Sequence, residues 1–116
     1  MCGIAGILGV DPALARPSAE RMLSALRHRG PDDEGIEVVR SGSFAPVVLA
    51  HTRLAIVDIT PAGHQPMSDR PRDAALTPNV VVFNGEIYNY RELQPRLASQ
   101  GWPCRTECDI EALLHA

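Results

Sequence analysis

Met1-Cys2-Gly3-Ile4-Ala5-Gly6-Ile7-Leu8 opens the chain, and the interpretation of the whole sequence depends on it. Residues 2–8 are short, apolar and contain glycine, which predicts a buried strand that another backbone approaches closely. Because the residue after Met1 is small, we expect Met1 to be removed, which leaves Cys2 with a thiol and a free α-amine. Such an amine titrates near about 7.7–8.0, so it can take the thiol proton, directly or through a water. The alternative is that Cys2 is a small core residue, and its position alone favours that alternative.

The strands predicted after this opening come both as a hairpin and singly. The hairpin joins its two strands through Ser41-Gly42-Ser43. Residues 60–78 contain four prolines and are predicted as a loop. The predicted strands are residues 35–40, 45–51, 53–58 and 79–83.

A first helix is predicted between the first two strands. It follows a loop over residues 11–17, is capped by Ser18 and ends at Gly30-Pro31. The i, i+3, i+4, i+7 spacing predicts its buried face, which consists of Ala19, Met22, Leu23 and Leu26.

Two further helices are predicted towards residue 116. One begins after Asn89, with Glu92 completing a capping box, and ends near Gly101. Pro95 removes an interior hydrogen bond, so we expect an irregular first turn. Thr106 is predicted to cap the other. Adjacent strands mixed with helices predict an α+β fold with a largely antiparallel sheet.

Composition excludes several classes of function. The 116 residues suffice for one domain, and 11 Lys and Arg against 14 Asp and Glu give a net charge of −3. With aromatic residues at only 4%, nothing favours nucleic acid or an anionic membrane surface as a partner. The N-terminus lacks the basic start of a signal peptide. Three cysteines without framework or zinc-ligand spacing predict a reducing, cytoplasmic setting and no metal site.

The segment Val80–Tyr90, VVVFNGEIYNY, has two interpretations. Asn84-Gly85 after an apolar strand is the strongest short-range signal for a hairpin with a type I′ turn. The same pair can form an oxyanion hole, because an Asn amide and the next backbone N–H can point at one oxygen. Spacing alone leaves both interpretations open.

Several motifs, in order, resemble the glutamine-hydrolysing asparagine synthetase family, and more narrowly its N-terminal class II glutamine amidotransferase domain. The relatives that make glucosamine phosphate or phosphoribosylamine share the N-terminal Cys and the Asn-Gly step and rank second. The resemblance covers nearly the whole chain, and the motifs that carry it are Met1–Gly6 (MCGIAG), Arg27–Asp32 (RHRGPD), Leu49–Asp58 (LAHTRLAIVD), Gly63–Met67 (GHQPM) and Phe83–Asn89 (FNGEIYN).

The resemblance implies a fold and a molecular context. The fold is the N-terminal-nucleophile hydrolase αββα sandwich, two antiparallel sheets face to face with helices outside. Residues 1–116 are expected to be an incomplete glutaminase domain, truncated at its C-terminal side. The implied substrate is glutamine, and the implied partner is a missing synthetase domain. No cofactor is expected in this segment, whereas ATP and Mg²⁺ are expected only in that synthetase domain.

The resemblance also implies catalytic roles. Cys2 matches the nucleophile, with its own freed amine as the base. Asn84, through its side chain, and Gly85, through its N–H, match the oxyanion hole. The expected activity is hydrolysis of the glutamine amide through a Cys2 thioester, with ammonia intended for asparagine synthesis.

Three further residues match the glutamine-binding positions. Arg53 matches the residue that grips the α-carboxylate, a role suited to a planar bidentate donor. Glu86 and Asp109 match acceptors around the α-ammonium and amide. Around Asp109 the family usually has the four-residue motif Ser or Thr, Asp, Thr, Glu. This chain has Cys108-Asp109-Ile110-Glu111 there. The loss of a hydroxyl at Ile110 weakens the assignment of Asp109.

Two alternatives to an active glutaminase remain. The first is a fragment that keeps the motifs but folds incompletely and has low or no activity. The second is a binding module built on an Asn-Gly hairpin with a buried cysteine.

Overall fold

A three-stranded antiparallel sheet forms the centre of the computed structural model, which describes residues 1–40, 43–69 and 77–116. Its strands are β1 (Gly3–Leu8), β2 (Asp33–Val39) and β3 (Val47–Arg53), in the spatial order β1-β3-β2. The chain is therefore α+β with antiparallel sheets, as the sequence predicts. β1 also confirms the strand predicted over residues 2–8, but the predicted burial is wrong, because every second residue of β1 from Ile4 to Leu8 is exposed.

One face of this sheet packs on helix α1 (Pro12–Leu26). The strand register aligns Ala5 with Ala50 and Ile7 with Val48, so apolar side chains from neighbouring strands share that face. Burial of this layer is the main hydrophobic contribution on this side of the molecule. The buried residues of the layer are Ala15, Ala19, Leu23, Val48 and Ala50.

Helix α1 begins earlier than predicted. Asp11, not Ser18, is the N-cap, and its Oδ1 accepts a hydrogen bond of 2.8 Å from the Ala13 N–H. Pro12 occupies the first turn, where its missing N–H costs nothing, and the helix continues through Pro17. Of the four residues predicted for its buried face, Ala19 and Leu23 are buried, whereas Met22 is 41% exposed.

The predicted pairing of β2 with β3 is confirmed, with Val39 opposite Val47. The turn predicted at residues 41–43 lies partly outside the described residues. The strand predicted over residues 53–58 is wrong, because β3 ends at Arg53 and the chain turns away there. The Arg53 guanidinium donates hydrogen bonds to the Asp58 and Thr60 carbonyls and stabilises that turn.

A second, two-stranded antiparallel sheet is formed by β4 (Met67–Ser68) and β5 (Val80–Val81). The strand predicted over residues 79–83 is therefore shorter than expected and only half buried. The predicted loop over residues 60–78 contains a 3₁₀ turn at Pro61–Gly63 as well as β4. Its residues 70–76 lie outside the described residues.

Helices α2 (Tyr90–Ser99) and α3 (Asp109–His115) pack on each other around Leu97 and Ala112. The expected irregular turn at Pro95 is absent from α2, and its N-cap Asn89 makes no side-chain capping bond. In place of a capping box, the Asn89 carbonyl accepts the Glu92 N–H.

Thr106 does not cap α3. The N-cap of α3 is Cys108, whose N–H donates to Thr106 Oγ1, and that hydroxyl donates to Glu111 Oε2 at 2.7 Å. Thr106 therefore stabilises the turn that precedes α3 and does not act as the N-cap of that helix. None of the helices in the described part of the chain has the length and apolar character needed to cross a bilayer.

Candidate functional site

A cavity of about 260 Å³ lies where β1 begins and β3 ends. This volume is near the lower end for small-molecule sites, which suits a ligand the size of a single amino acid. All six residues singled out by the sequence line it: Cys2, Arg53, Asn84, Gly85, Glu86 and Asp109.

Cys2 directly precedes β1, whose first residue, Gly3, pairs with Thr52 of β3. Its Sγ accepts the Leu54 backbone N–H at 3.4 Å and lies 3.9 Å from the Leu54 carbonyl oxygen. The Cys2 carbonyl accepts the Arg29 Nε–H at 3.0 Å. Hydrogen bonds from two segments therefore fix both the backbone and the sulfur at the cavity wall.

Met1 lines the same cavity, although its side chain is 71% exposed. While Met1 is present, the nitrogen of Cys2 belongs to a peptide bond and cannot act as a base. Removal of Met1 therefore frees an amine beside the Cys2 sulfur and also removes one of the side chains that line the cavity.

Asn84 and Gly85 lie in a loop after β5, not in a hairpin. A type I′ turn needs φ > 0 at both central residues, and neither residue has it. Both are exposed at the cavity. A Cβ built on Gly85 would collide with the ring of Phe83, so glycine lets that ring pack against the loop in this position. The hairpin interpretation is therefore wrong.

Two buried side chains that the sequence does not single out contact Phe83, the residue before this pair. Gln65 Oε1 accepts the Phe83 N–H at 2.7 Å, and His51 Nε2 lies 3.2 Å from the Phe83 carbonyl oxygen. Gln65 lies in the Gly63–Met67 motif and His51 in the Leu49–Asp58 motif, which are the only sequence signals for them.

Arg53 is 6% exposed and ends β3. Its NH1 donates to the Thr60 carbonyl at 2.7 Å and its NH2 donates to the Asp58 carbonyl. A Cβ on Gly63 would overlap the guanidinium, so glycine leaves the space in which it lies. The planar group has further N–H donors for a carboxylate in the cavity.

The Asp58 side chain supports the same turn. Its Oδ1 accepts the Thr60 hydroxyl at 2.6 Å and the Thr60 N–H at 2.8 Å. These hydrogen bonds, first that from the hydroxyl and then that from the backbone, lower the pKa of the Asp58 carboxyl. Asp58 therefore remains ionised beside the Arg53 guanidinium at neutral pH.

Asp109 and Glu86 differ in their surroundings. Asp109 is 7% exposed, and its Oδ2 accepts the Ile87 N–H at 2.9 Å. Glu86 is exposed at the cavity wall. Asp109 therefore joins α3 to the loop that carries Asn84 and Gly85, whereas Glu86 presents its carboxylate to solvent.

All three cysteines are free thiols, and Cys108 lines the cavity together with Cys2. Burial, and then the neighbouring Asp109 charge, raise the pKa of the Cys108 thiol. Burial likewise raises the pKa of Cys104. Within the ranges that the structure describes, no three His, Cys, Asp or Glu residues form a group able to hold a metal ion.

Comparison with known proteins finds a match over the whole chain. The model of a family described as the glutamine amidotransferase domain matches residues 1–116. No solved structure matches. The glutamine-hydrolysing asparagine synthetase 2 of Oryza sativa subsp. japonica is 43% identical over 99% of this chain. The glutamine-hydrolysing asparagine synthetase of Zea mays is 39% identical over 99% of this chain. The glutamine-hydrolysing asparagine synthetase 3 of Arabidopsis thaliana is 40% identical over 99% of this chain.

The chain spans only a small part of these relatives. It covers 18% of the length of each of the three plant proteins. The match over all 116 residues, together with these identities, establishes the family. The chain belongs to the glutamine amidotransferase domain family.

Proposed function

We propose that this chain hydrolyses the side-chain amide of glutamine to glutamate and ammonia, with Cys2 as the nucleophile. One observation carries the proposal: the Cys2 sulfur and the Asn84–Gly85 pair line one cavity, whose walls also carry Arg53 and Asp109. The arrangement provides a nucleophile, donors for a developing oxyanion, and charged groups that match the two ends of an amino acid.

The proposed reaction begins once Met1 has been removed. The freed α-amine of Cys2 takes the thiol proton, and the sulfur attacks the amide carbon of glutamine. The oxyanion accepts hydrogen bonds from the Asn84 side-chain amide and the Gly85 N–H. The α-ammonium then protonates the leaving nitrogen, the C–N bond breaks and ammonia departs. Water attacks the remaining thioester, which releases glutamate and regenerates the thiol.

Glutamine binding is assigned to the charged residues of the cavity. The Arg53 guanidinium pairs with the α-carboxylate through the donors that do not contact Asp58 and Thr60. Asp109 accepts from the α-ammonium with its carboxylate, which already accepts the Ile87 N–H. Glu86 is exposed, and we assign it to the same end of the substrate.

The finer fold is part of the proposal. An N-terminal-nucleophile hydrolase sandwich has a second sheet against the face of the first that does not contact a helix. The face of β1 opposite α1 carries Ile4 and Leu8, which are 43% and 70% exposed. Cover by a second sheet would bury these side chains, and the domain over residues 1–116 would then be incomplete.

The wider function extends beyond these 116 residues. Relatives named as asparagine synthetases are several times longer, which supports a synthetase domain as the partner that receives the ammonia. In that proposal ATP and Mg²⁺ bind the synthetase domain, and the protein acts in the cytoplasm. A glutaminase that serves another ammonia acceptor is the alternative.

Glutamine hydrolysis by the protein after removal of Met1 tests the proposal. We expect release of glutamate and ammonia, and modification of Cys2 by a glutamine-like diazo ketone. Both should be lost in Cys2→Ala and kept in Cys104→Ala, which alters a half-buried cysteine that does not line this cavity. Hydrolysis by Cys2→Ala at the rate of the unmodified protein would exclude the mechanism.

A further inference from the structure

The peptide groups on both sides of Phe83 are fixed by buried side chains. Gln65 accepts the Phe83 N–H and His51 contacts the Phe83 carbonyl oxygen, at 2.7 and 3.2 Å. Gln65 is 6% exposed and His51 is fully buried. Because the next residue is Asn84, these two hydrogen bonds fix the backbone from which the Asn84 side chain and the Gly85 N–H project.

The hydrogen-bond roles at His51 follow from the chemistry of its partner. A carbonyl oxygen can only accept, so the proton lies on Nε2 and the ring donates. Its Nδ1 is buried and has no hydrogen-bond partner. Burial is the largest influence on the pKa of His51 and lowers it, against the Phe83 hydrogen bond and Asp33, which raise it. The ring is therefore a neutral donor at pH 7.

The segment that carries Gln65 is fitted closely against the sheet. Gly35 pairs with His51 in the register of β2 and β3. A Cβ on Gly35 would collide with the Gln65 carbonyl and the His64 ring, so glycine allows this segment to lie beside His51. His64 Nδ1 contacts Asp33 Oδ2 at 2.7 Å. Both residues that contact Phe83 are thus supported by the β2–β3 pair.

We propose that Gln65 and His51 are positioning residues for the Asn84–Gly85 oxyanion donors, an inference that rests on the proposed function. Neither residue needs to touch the reacting atoms. Their hydrogen bonds orient the Phe83–Asn84 backbone so that both donors point at one place in the cavity. A misplacement of about 1 Å in such a group can reduce the rate about 10²-fold.

The kinetic parameters separate positioning from binding. The oxyanion forms only as the sulfur attacks and is absent from bound glutamine, so its donors act on kcat and little on glutamine binding. We expect Gln65→Met, which keeps the length of the side chain but removes the acceptor, to lower kcat at least about 10-fold. Its KM for glutamine should change less than about 2-fold.

A conservative variant provides the matched control for Gln65. Gln65→Glu keeps an oxygen that can accept the Phe83 N–H, so its kcat should return to within about 3-fold of the unmodified protein. Because Gln65 also lines the cavity, the added charge is expected to raise KM, and kcat is therefore the diagnostic quantity. Equal losses of kcat in Gln65→Met and Gln65→Glu would overturn the positioning role of the oxygen.

His51 gives a second, independent pair of variants. His51→Gln presents an amide nitrogen close to the original Nε2, whereas His51→Leu has no donor. We expect kcat to fall further in His51→Leu than in His51→Gln, with KM unchanged in both. This comparison decides the inference if Gln65→Met fails to fold, which circular dichroism and a thermal melt would reveal.

The two proposals fail in different ways. If the unmodified protein hydrolyses glutamine and Gln65→Met and His51→Leu retain its kcat within about 2-fold, positioning is wrong and the proposed function stands. If the unmodified protein neither hydrolyses glutamine nor reacts with a glutamine-like diazo ketone at Cys2, the proposed function fails and this inference fails with it.

Discussion

Asp109 and Ile87 join the third helix to the loop that carries the candidate oxyanion donors. The Asp109 Oδ2 atom accepts the Ile87 N–H at 2.9 Å, and the carboxylate is almost fully buried. One side chain therefore has two separable properties, a hydrogen-bond acceptor for the loop and a negative charge for the cavity.

Substitution of Asp109 by two different residues separates these properties. Asp109→Asn keeps an acceptor for Ile87 but loses the charge, so KM for glutamine should rise about 10-fold or more, as expected from loss of a charged hydrogen bond. Its unfolding free energy should change little. Asp109→Leu also leaves the Ile87 N–H without its acceptor, which should cost about 1–3 kcal/mol of stability. Kinetics and urea unfolding measure the two effects, and equal stability of both variants would contradict this division.

Glycine at position 63 is expected to be essential for the placement of Arg53. In Gly63→Ala the new methyl group overlaps the guanidinium, which must move away from the Asp58 and Thr60 carbonyls. We expect a loss of about 1–3 kcal/mol, typical of overpacking, and a higher KM for glutamine.

Gly6→Ala is the matched control for that substitution. A Cβ on Gly6 would lie 3.7 Å from Leu49 Cδ2, an ordinary contact. The substitution should change stability by less than about 1 kcal/mol. If Gly6→Ala and Gly63→Ala destabilise the protein equally, the steric argument for Gly63 is wrong.

Acidification should destabilise the protein through His51. Burial lowers the pKa of His51 in the folded state, so below about pH 6.5 the unfolded chain binds more protons than the folded chain. The contribution of His51 to the free energy of unfolding is therefore fully present above that pH. It decreases as the pH falls towards the folded-state pKa. Urea unfolding at pH 7.5 and 5.5 measures the difference, which should shrink in His51→Gln and remain in a variant of the exposed His28. An unchanged difference in His51→Gln would contradict the assignment.

The three thiols should differ in their rates of alkylation. Burial raises the pKa of Cys104 and of Cys108, which lowers their thiolate fractions at neutral pH. Cys2 lies at the cavity and accepts an N–H from Leu54. Limited iodoacetamide treatment followed by peptide mass spectrometry should find Cys2 modified first. Faster modification of Cys104 than of Cys2 would show that burial does not suppress the reactivity of Cys104.

The strands of the three-stranded sheet can be predicted from the sequence because each is determined by residues that are adjacent in the chain. The strands β1, β2 and β3 follow from short apolar segments and turn residues. The start of α1 differs from the loop predicted over residues 11–17, because the cap at Asp11 places Pro17 inside a helix that tolerates it. Residues 53–58 do not form the predicted strand, because hydrogen bonds from the Arg53 side chain stabilise a turn there.

The sequence motifs predict the residues that line the candidate site, but not the contacts that orient them. The six residues named from the motifs line one cavity. The contacts that orient Asn84 come from Gln65 and His51, which lie 18 and 32 residues before Phe83. Contacts over such separations depend on the tertiary structure, and no local pattern in the sequence encodes them.

A crystal structure of the Met1-free protein after reaction with a glutamine-like diazo ketone tests the central claim most directly. The account predicts a bond from the Cys2 sulfur to the ligand, with the ligand carbonyl oxygen within about 3.2 Å of both Asn84 Nδ2 and the Gly85 nitrogen. A ligand bound to Cys2 with that oxygen remote from both donors, or no bond to Cys2, would contradict it.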